Sequence, residues 1–193
     1  MSQLYRIRLK DSVSRSINTS DSISYPIELT EIIPAEEMKD ILKGVLREKG
    51  FEETEENIFV KEGPAGEKIT VDLAEMEVTA SIDEDREIRK EVEFDERIDA
   101  WNKKDASQYG RELFEKELKK AEQSLEGAEK QAQKEVTQRL IDSEEERMQQ
   151  LNEVMQEVYA ESLKRKAGSM GEVTSMHETI EDGEYRLDIT VEL

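Results

Sequence analysis

The sequence predicts an α+β fold: an antiparallel sheet with one packed helix and a long helical hairpin (a coiled coil) inserted before the last two strands. Three observations lead there. Residues 107–167 pass without proline and are rich in Glu, Lys, Gln, Ala and Leu. Those residue types keep their rotamer freedom in a helix and offer the backbone no competing hydrogen bond. On either side lie short stretches with an apolar residue at every second position, the mark of strands with one buried face. Finally, Tyr185, Leu187, Ile189, Val191 and Leu193 alternate without a fault, and so regular a strand needs a partner.

From the start, Tyr5, Ile7 and Leu9 alternate with Arg6, Arg8 and Lys10, a half-buried strand with a basic outer face. Asp11 to Ser24 is Ser-rich with thinly spaced Val13, Ile17 and Ile23, which reads as a weak second strand with a loop, or as an extended arm. Tyr25-Pro26 and Ile33-Pro34 bracket an apolar connector that its prolines hold extended. Pro34 then opens an amphipathic helix over residues 35–49. Glu36, Glu37 and Asp40 suit its positive end, and Met38, Ile41, Leu42, Val45 and Leu46 form its apolar face. Gly50 ends it and Phe51 anchors the exit.

Three β-type runs follow at residues 57–62, 68–73 and 76–82, joined by Gly63-Pro64-Ala65-Gly66 and Ala74-Glu75. Asp83-Glu84-Asp85 reads as the next turn, and residues 86–94 alternate again, which makes a meander of three or four strands. Residues 96–105 predict a short helix in which Trp101 is a packing anchor.

In the long helical run, Phe114, Leu118, Ala121, Leu125, Ala128 and Ala132 step by four and three, a heptad seam. A second seam passes through Met148, Leu151, Met155 and Val158. Ser143 with Glu146 spells a capping box, where a new helix begins. Two geometries follow. One is a continuous helix of about 60 residues, roughly 90 Å long. The other, which the need to pair the last strand favours, is a hairpin bent near residues 140–143 or near Gly127. Lys164-Arg165-Lys166 and Gly168 close the run, and Asp182-Gly183 predicts the turn between two last strands. The N-terminal sheet is their expected partner, which the hairpin would allow and a rod would not, unless a second copy supplies the pairing. Residues 1–106 and 168–193 then form a sheet domain, and 107–167 the helical hairpin.

Charge bounds the function. The chain of 193 residues carries 28 Lys and Arg against 48 Asp and Glu, a net charge of −20. Residues 35–106 hold 12 basic and 23 acidic residues, whereas 107–167 hold 11 and 14. A field of this sign repels phosphate backbones and anionic lipid surfaces, so neither nucleic acid nor membrane is an expected partner. There is no cysteine, which excludes thiolate chemistry and fits a reducing compartment. The first residues lack the apolar core of a secretory signal, and a cytoplasmic protein is expected.

Catalytic patterns are absent. His177 is the single histidine, without a His-x-x-x-His or cysteine neighbour to build a metal site. Asp83-x-Asp85-x-Glu87 resembles the start of a calcium loop, but Ile88 and Phe94 stand where glycine and glutamate are needed. Gly63-x-x-Gly66 is a hairpin and not a phosphate cradle. The expectation is therefore no enzyme and no cofactor, but a protein that binds another protein. Its candidate interaction seam is Phe114, Leu118, Leu125, Met148, Leu151, Met155 and Val158. Two alternatives stay open: an acidic inhibitor that mimics nucleic-acid charge, and a homo-oligomeric structural protein whose seams bind another copy.

Two stretches carry a family resemblance: Leu4-Tyr5-Arg6-Ile7-Arg8-Leu9, and Ile27-Glu28-Leu29 through Ile33-Pro34 into the helix ending at Gly50-Phe51. They resemble the start of small accessory proteins encoded beside an AAA+ ATPase and a von Willebrand A protein in bacterial ternary systems. The resemblance covers about the first fifty residues. It implies a scaffold or adaptor that works with an ATPase, and it brings no functional residues with it.

Overall fold

Two strands of 24 residues and a one-residue break between long helices set the architecture. The computed structural model describes residues 2–181 and 184–192. In chain order the elements are β1 (Gln3–Pro26), α1 (Ala35–Glu48), β2 (Glu52–Glu55), β3 (Ile58–Glu62), β4 (Lys68–Asp72) and β5 (Glu77–Ala100). Then come α2 (Lys103–Asp142), α3 (Glu144–Met170), β6 (Glu172–Glu181) and β7 (Glu184–Glu192). A five-stranded sheet has the order β1-β5-β4-β3-β2, and β6 and β7 form a second sheet. The fold is α+β with long helices before the last two strands, as the spacing predicts. It divides into unit 1, Met1–Asp21 with Asp83–Gln138, and unit 2, Ser22–Ile82 with Arg139–Leu193.

Unit 1 is a β-ribbon covered by α2. Cross-strand contacts run down β1 and up β5, from Arg6–Asp95 through Lys10–Glu93 to Thr19–Glu84, which makes the pair antiparallel. The basic outer face of β1 therefore meets acids of β5. Arg6 donates to Asp95 at 2.6 and 2.7 Å, and Lys10 reaches both Glu91 and Glu93. The inner face buries Ile7, Phe94 and Ile98 against Ala106 and Phe114 of α2. Phe94 and Phe114 meet edge to face with centroids 6.3 Å apart, a geometry that adds about 0.5–1.5 kcal/mol to the burial itself. Gly110 is where helix and ribbon come closest, since a Cβ there would stand 2.8 Å from Ile7 Cγ2 and 3.1 Å from Ile98 Cδ1.

The turn expected at Asp83-Glu84-Asp85 is not formed, and β5 passes straight through it. Likewise Asp11–Ser24 is neither loop nor arm but the second half of β1. Pairing across the ribbon satisfies these polar backbones and overrides their turn-like composition. The short helix expected around Trp101 is also absent. β5 continues to Ala100, and Trp101 lies in the bend before α2 with 75% of its surface exposed. Ile98 and Phe94 take the anchoring role. Asn102 starts α2 with a reciprocal cap: its side-chain oxygen accepts the Asp105 N–H, and its amide donates to the Asp105 carboxylate.

Unit 2 packs α1 on the short strands. Met38, Ile41, Leu42, Val45 and Leu46 of α1 close over Phe59, Ile69, Val71 and Val78, and Val154 and Val158 of α3 join the same core. Burying a side chain such as Leu42 or Leu46 contributes about 1.5–3 kcal/mol. Gly50 takes φ +84° behind α1 and Phe51 enters the core, as predicted. β3 and β4 pair in register from Ile58–Asp72 to Glu62–Lys68 around the Gly63–Gly66 turn. Tyr159 clamps the connector: its hydroxyl donates to the Glu28 carbonyl and accepts the Thr30 N–H.

The helical run breaks at Ser143, and α2 passes through Gly127 without interruption. The predicted capping box places the break, but the hydroxyl is used otherwise. Ser143 Oγ donates to the Leu140 carbonyl and accepts from Arg147 Nη1 at 2.9 Å. Arg147 Nη2 donates to the same Leu140 carbonyl, and Nη1 also donates to Glu67 at 3.1 Å. Both charged side chains are wholly buried. Glu67 in turn accepts the Ala65 N–H, and Arg139 donates to the Ala65 carbonyl. One ion pair thus fastens the β3–β4 turn to the helix break. Its residues look solvated in sequence, and composition gives no hint of it.

The expectation that the last two strands join the N-terminal sheet is corrected. Among the described residues β6 pairs with β7 alone, from Glu172–Glu192 to Glu181–Glu184, and the pair rests on α3. The half-buried row Tyr185, Leu187, Ile189 and Val191 finds cover on a helix of its own unit instead of a sheet edge. The turn predicted at Asp182-Gly183 lies outside the described residues, as does Leu193.

Candidate functional site

The seam residues fall into two cores. In unit 1, Phe114 and Leu125 are buried and Leu118 packs partly on the ribbon core. In unit 2, Val158 is fully buried and Leu151 packs on the core around α1. Met148 and Met155 are half-buried and line an apolar pocket of about 150 Å³ with Tyr25, Ile27 and Leu42. The structure therefore gathers four of the seven on one helix of unit 2 and three on the ribbon side of α2.

Met148 also opens onto a larger groove. Between α1 and α3, with Glu178 of β6 and Tyr185 of β7 at one end, lies a concave space of about 1360 Å³. Its walls are two helical stripes. On α1, Ile41 and Val45 lie four residues apart, as do Gly44 and Glu48, so the four share one helix face, and α3 contributes from Glu145 to Arg165. Seven carboxylates and three cations line it. Each cation bonds to a carboxylate of the groove: Lys49 to Glu157, Lys164 to Glu178 at 2.6 Å, and Arg165 to Glu161 at 3.6 Å. Donating a hydrogen bond to Glu157 raises the pKa of Lys49, and donating to Glu178 raises that of Lys164 while lowering that of Glu178. Burial pushes the Tyr185 phenol up, with Glu178 adding to it.

Unit 1 has a smaller groove of about 440 Å³, floored by Phe94, Ile98 and Leu113 and edged by Tyr109 and Lys116. Among the described residues of unit 1, Leu4, Trp101 and Tyr109 are the exposed large apolar side chains, and of these Tyr109 edges the groove. His177 is exposed on β6 opposite Asp188. Asp83, Asp85 and Glu87 lie on one exposed face of β5, not in a loop. Among the described residues no three His, Cys, Asp or Glu side chains are grouped to hold a metal ion, and no helix is long and apolar enough to cross a membrane.

The groove is not visible in the sequence, because its walls meet only when α1 packs on α3. The signal within reach was Gly44, a glycine in the middle of an otherwise regular amphipathic helix. Among families of known proteins, the model of FtsH ternary system domain X5 matches residues 1–193. No curated protein and no solved structure matches the chain.

Proposed function

The chain belongs to the FtsH ternary system domain X5 family, and from that membership we propose that it is a non-enzymatic adaptor or scaffold, an accessory subunit of an ATPase-based system. The whole-length family match is the observation that carries this reading. Other features support it: long helices with methionines open at their surface, an exposed tryptophan, and a groove between two helices. The partner is another protein, an AAA+ ATPase or a von Willebrand A protein of the same system, met in the cytoplasm. Contact is made through the half-buried members of the seam, Leu118, Met148, Leu151 and Met155, while Phe114, Leu125 and Val158 hold the helices on their cores.

The test is copurification. The tagged chain is coexpressed with each candidate partner, as wild type and as Leu118→Asp and Met155→Asp variants whose far-UV circular dichroism matches wild type. A stoichiometric complex that either substitution dissolves supports the adaptor. Failure to retain either partner under any condition refutes it. The net charge of −20 favours one other reading, an acidic inhibitor that mimics nucleic acid. A charge mimic loses its partner steeply as salt rises and is indifferent to Leu118→Asp and Met155→Asp, whereas an adaptor bound through its seam is dissolved by those substitutions.

A further inference from the structure

We propose that the groove between α1 and α3 is the docking site for a basic amphipathic helix of the partner protein. This inference rests on the adaptor reading and gives it a surface and a chemistry. Three observations converge on it.

The first is shape. The groove follows the stripe from Glu145 to Arg165, and a stretch of about 20 helical residues is roughly 30 Å long, so it accommodates a helix of several turns. Ile41, Val45, Met148 and Ala160 give it an apolar floor. A trough between helices with apolar side chains along its floor and charged ones along its rims suits an amphipathic helix, with methionine adapting to the bound side chains.

The second is charge. All three cations of the groove are already bonded to carboxylates within it, and four carboxylates remain in excess. A basic segment complements that excess. A second copy of this chain, with 48 acidic against 28 basic residues, would bring charge of the same sign.

The third is Gly44. Glycine inside a helix is unfavourable, and among the described residues no neighbour claims the space it leaves, because a Cβ built there meets none of their atoms within 4 Å. Its φ is ordinary for a helix, so the backbone does not require glycine either. The open position faces the groove, where a missing side chain lets an incoming helix approach the α1 backbone.

Fluorescence anisotropy on the full chain tests this, with a labelled synthetic helix of about 18 residues that carries leucines at i, i+3, i+4 and i+7 and otherwise lysine, arginine and alanine. Two control peptides share its length: one of the same composition with the leucine stripe scrambled, and one with glutamate in place of the basic residues. The expected result is binding of the basic amphipathic peptide, weaker by about tenfold or more, or 1.4 kcal/mol, for the scrambled peptide and for the Gly44→Gln variant. That variant removes a helix-interior glycine, so its melting temperature should equal or exceed the wild type's. Three results overturn the proposal: equal binding of amphipathic and scrambled peptides, affinity unchanged by Gly44→Gln, and preference for the acidic peptide. Self-association that Gly44→Gln abolishes overturns it in favour of a second copy. The two readings fail separately. A candidate partner that binds wild type and Gly44→Gln alike removes the groove and leaves the adaptor. A groove that binds the peptide while neither candidate partner is retained removes the adaptor reading and leaves the groove.

Discussion

Arg147 and Glu67 give the sharpest prediction, because both side chains are wholly buried and each serves more than its partner. Arg147 donates to Glu67, to Ser143 Oγ and to the Leu140 carbonyl, while its Nε has no hydrogen-bond partner among the described residues. Glu67 holds the Ala65 N–H as well, and a side chain at Gly63 would run into its carboxylate. Arg147→Met keeps the aliphatic stem but leaves the Glu67 charge buried with one N–H for company. Removing one member of such a pair costs about 3–5 kcal/mol. For a chain of this size that lowers the melting temperature by about 6–20 °C, taking about 2–4 °C per kcal/mol. Glu67→Gln strands the guanidinium in the same way. The double variant removes both charges together, and its loss should fall short of the sum of the single losses by about 2–3 kcal/mol. Urea unfolding followed by far-UV circular dichroism gives the three energies, and hydrogen exchange at the Ala65 amide reports the turn itself. Single losses under about 1 kcal/mol, or strict additivity, would refute the argument that this pair fastens the turn to the helix break.

Three further outcomes follow from particular contacts. Gly110→Ala should lower stability by about 1 kcal/mol, although alanine is the better helix former, because the added methyl meets Ile7 and Ile98; a urea midpoint at or above wild type would contradict the close approach. Asp95 should titrate below its ordinary value of about 3.9, held down first by the hydrogen bond from Arg6. A lowered folded pKa means that this contribution is present above the unfolded value and is lost as pH falls through the folded one. Carbon-13 NMR should therefore show the Asp95 midpoint rising in Arg6→Gln, and no rise would remove the pair. Trp101 is the single tryptophan, so the protein's emission should be that of a solvent-exposed indole and open to acrylamide quenching; blue-shifted, protected emission would place it in a core instead.

Local physics decided much of this protein in advance. The span of α1, the left-handed Gly50, the Gly63–Gly66 turn and the helicity of α2 and α3 depend on residues a few positions apart, and each was legible. The break at Ser143 was legible too, though its hydroxyl serves Arg147 and not the cap. The strands hold a subtler lesson. Val78, Ala80, Ile82, Ile88, Val92, Phe94 and Ile98 all occupy even positions, and Tyr5, Ile7, Leu9, Val13, Ile17 and Ile23 all occupy odd ones. That unbroken phase is the signature of single long strands, and it outweighs the turn-like Asp83-Glu84-Asp85 and the Ser-rich stretch before Pro26. Of the candidate groove, Met148 was singled out by its seam, whereas Ile41 and Val45 read only as core.

What tertiary structure alone decided are the pairings between distant residues: Arg6 with Asp95, Arg147 with Glu67, α1 beside α3, and β6–β7 on a helix instead of the larger sheet. Residue spacing and propensity act over a turn or two of chain, so they specify elements and their apolar faces. Which face meets which is chosen by the total burial and charge pairing of the folded chain, and no short stretch of sequence holds that sum.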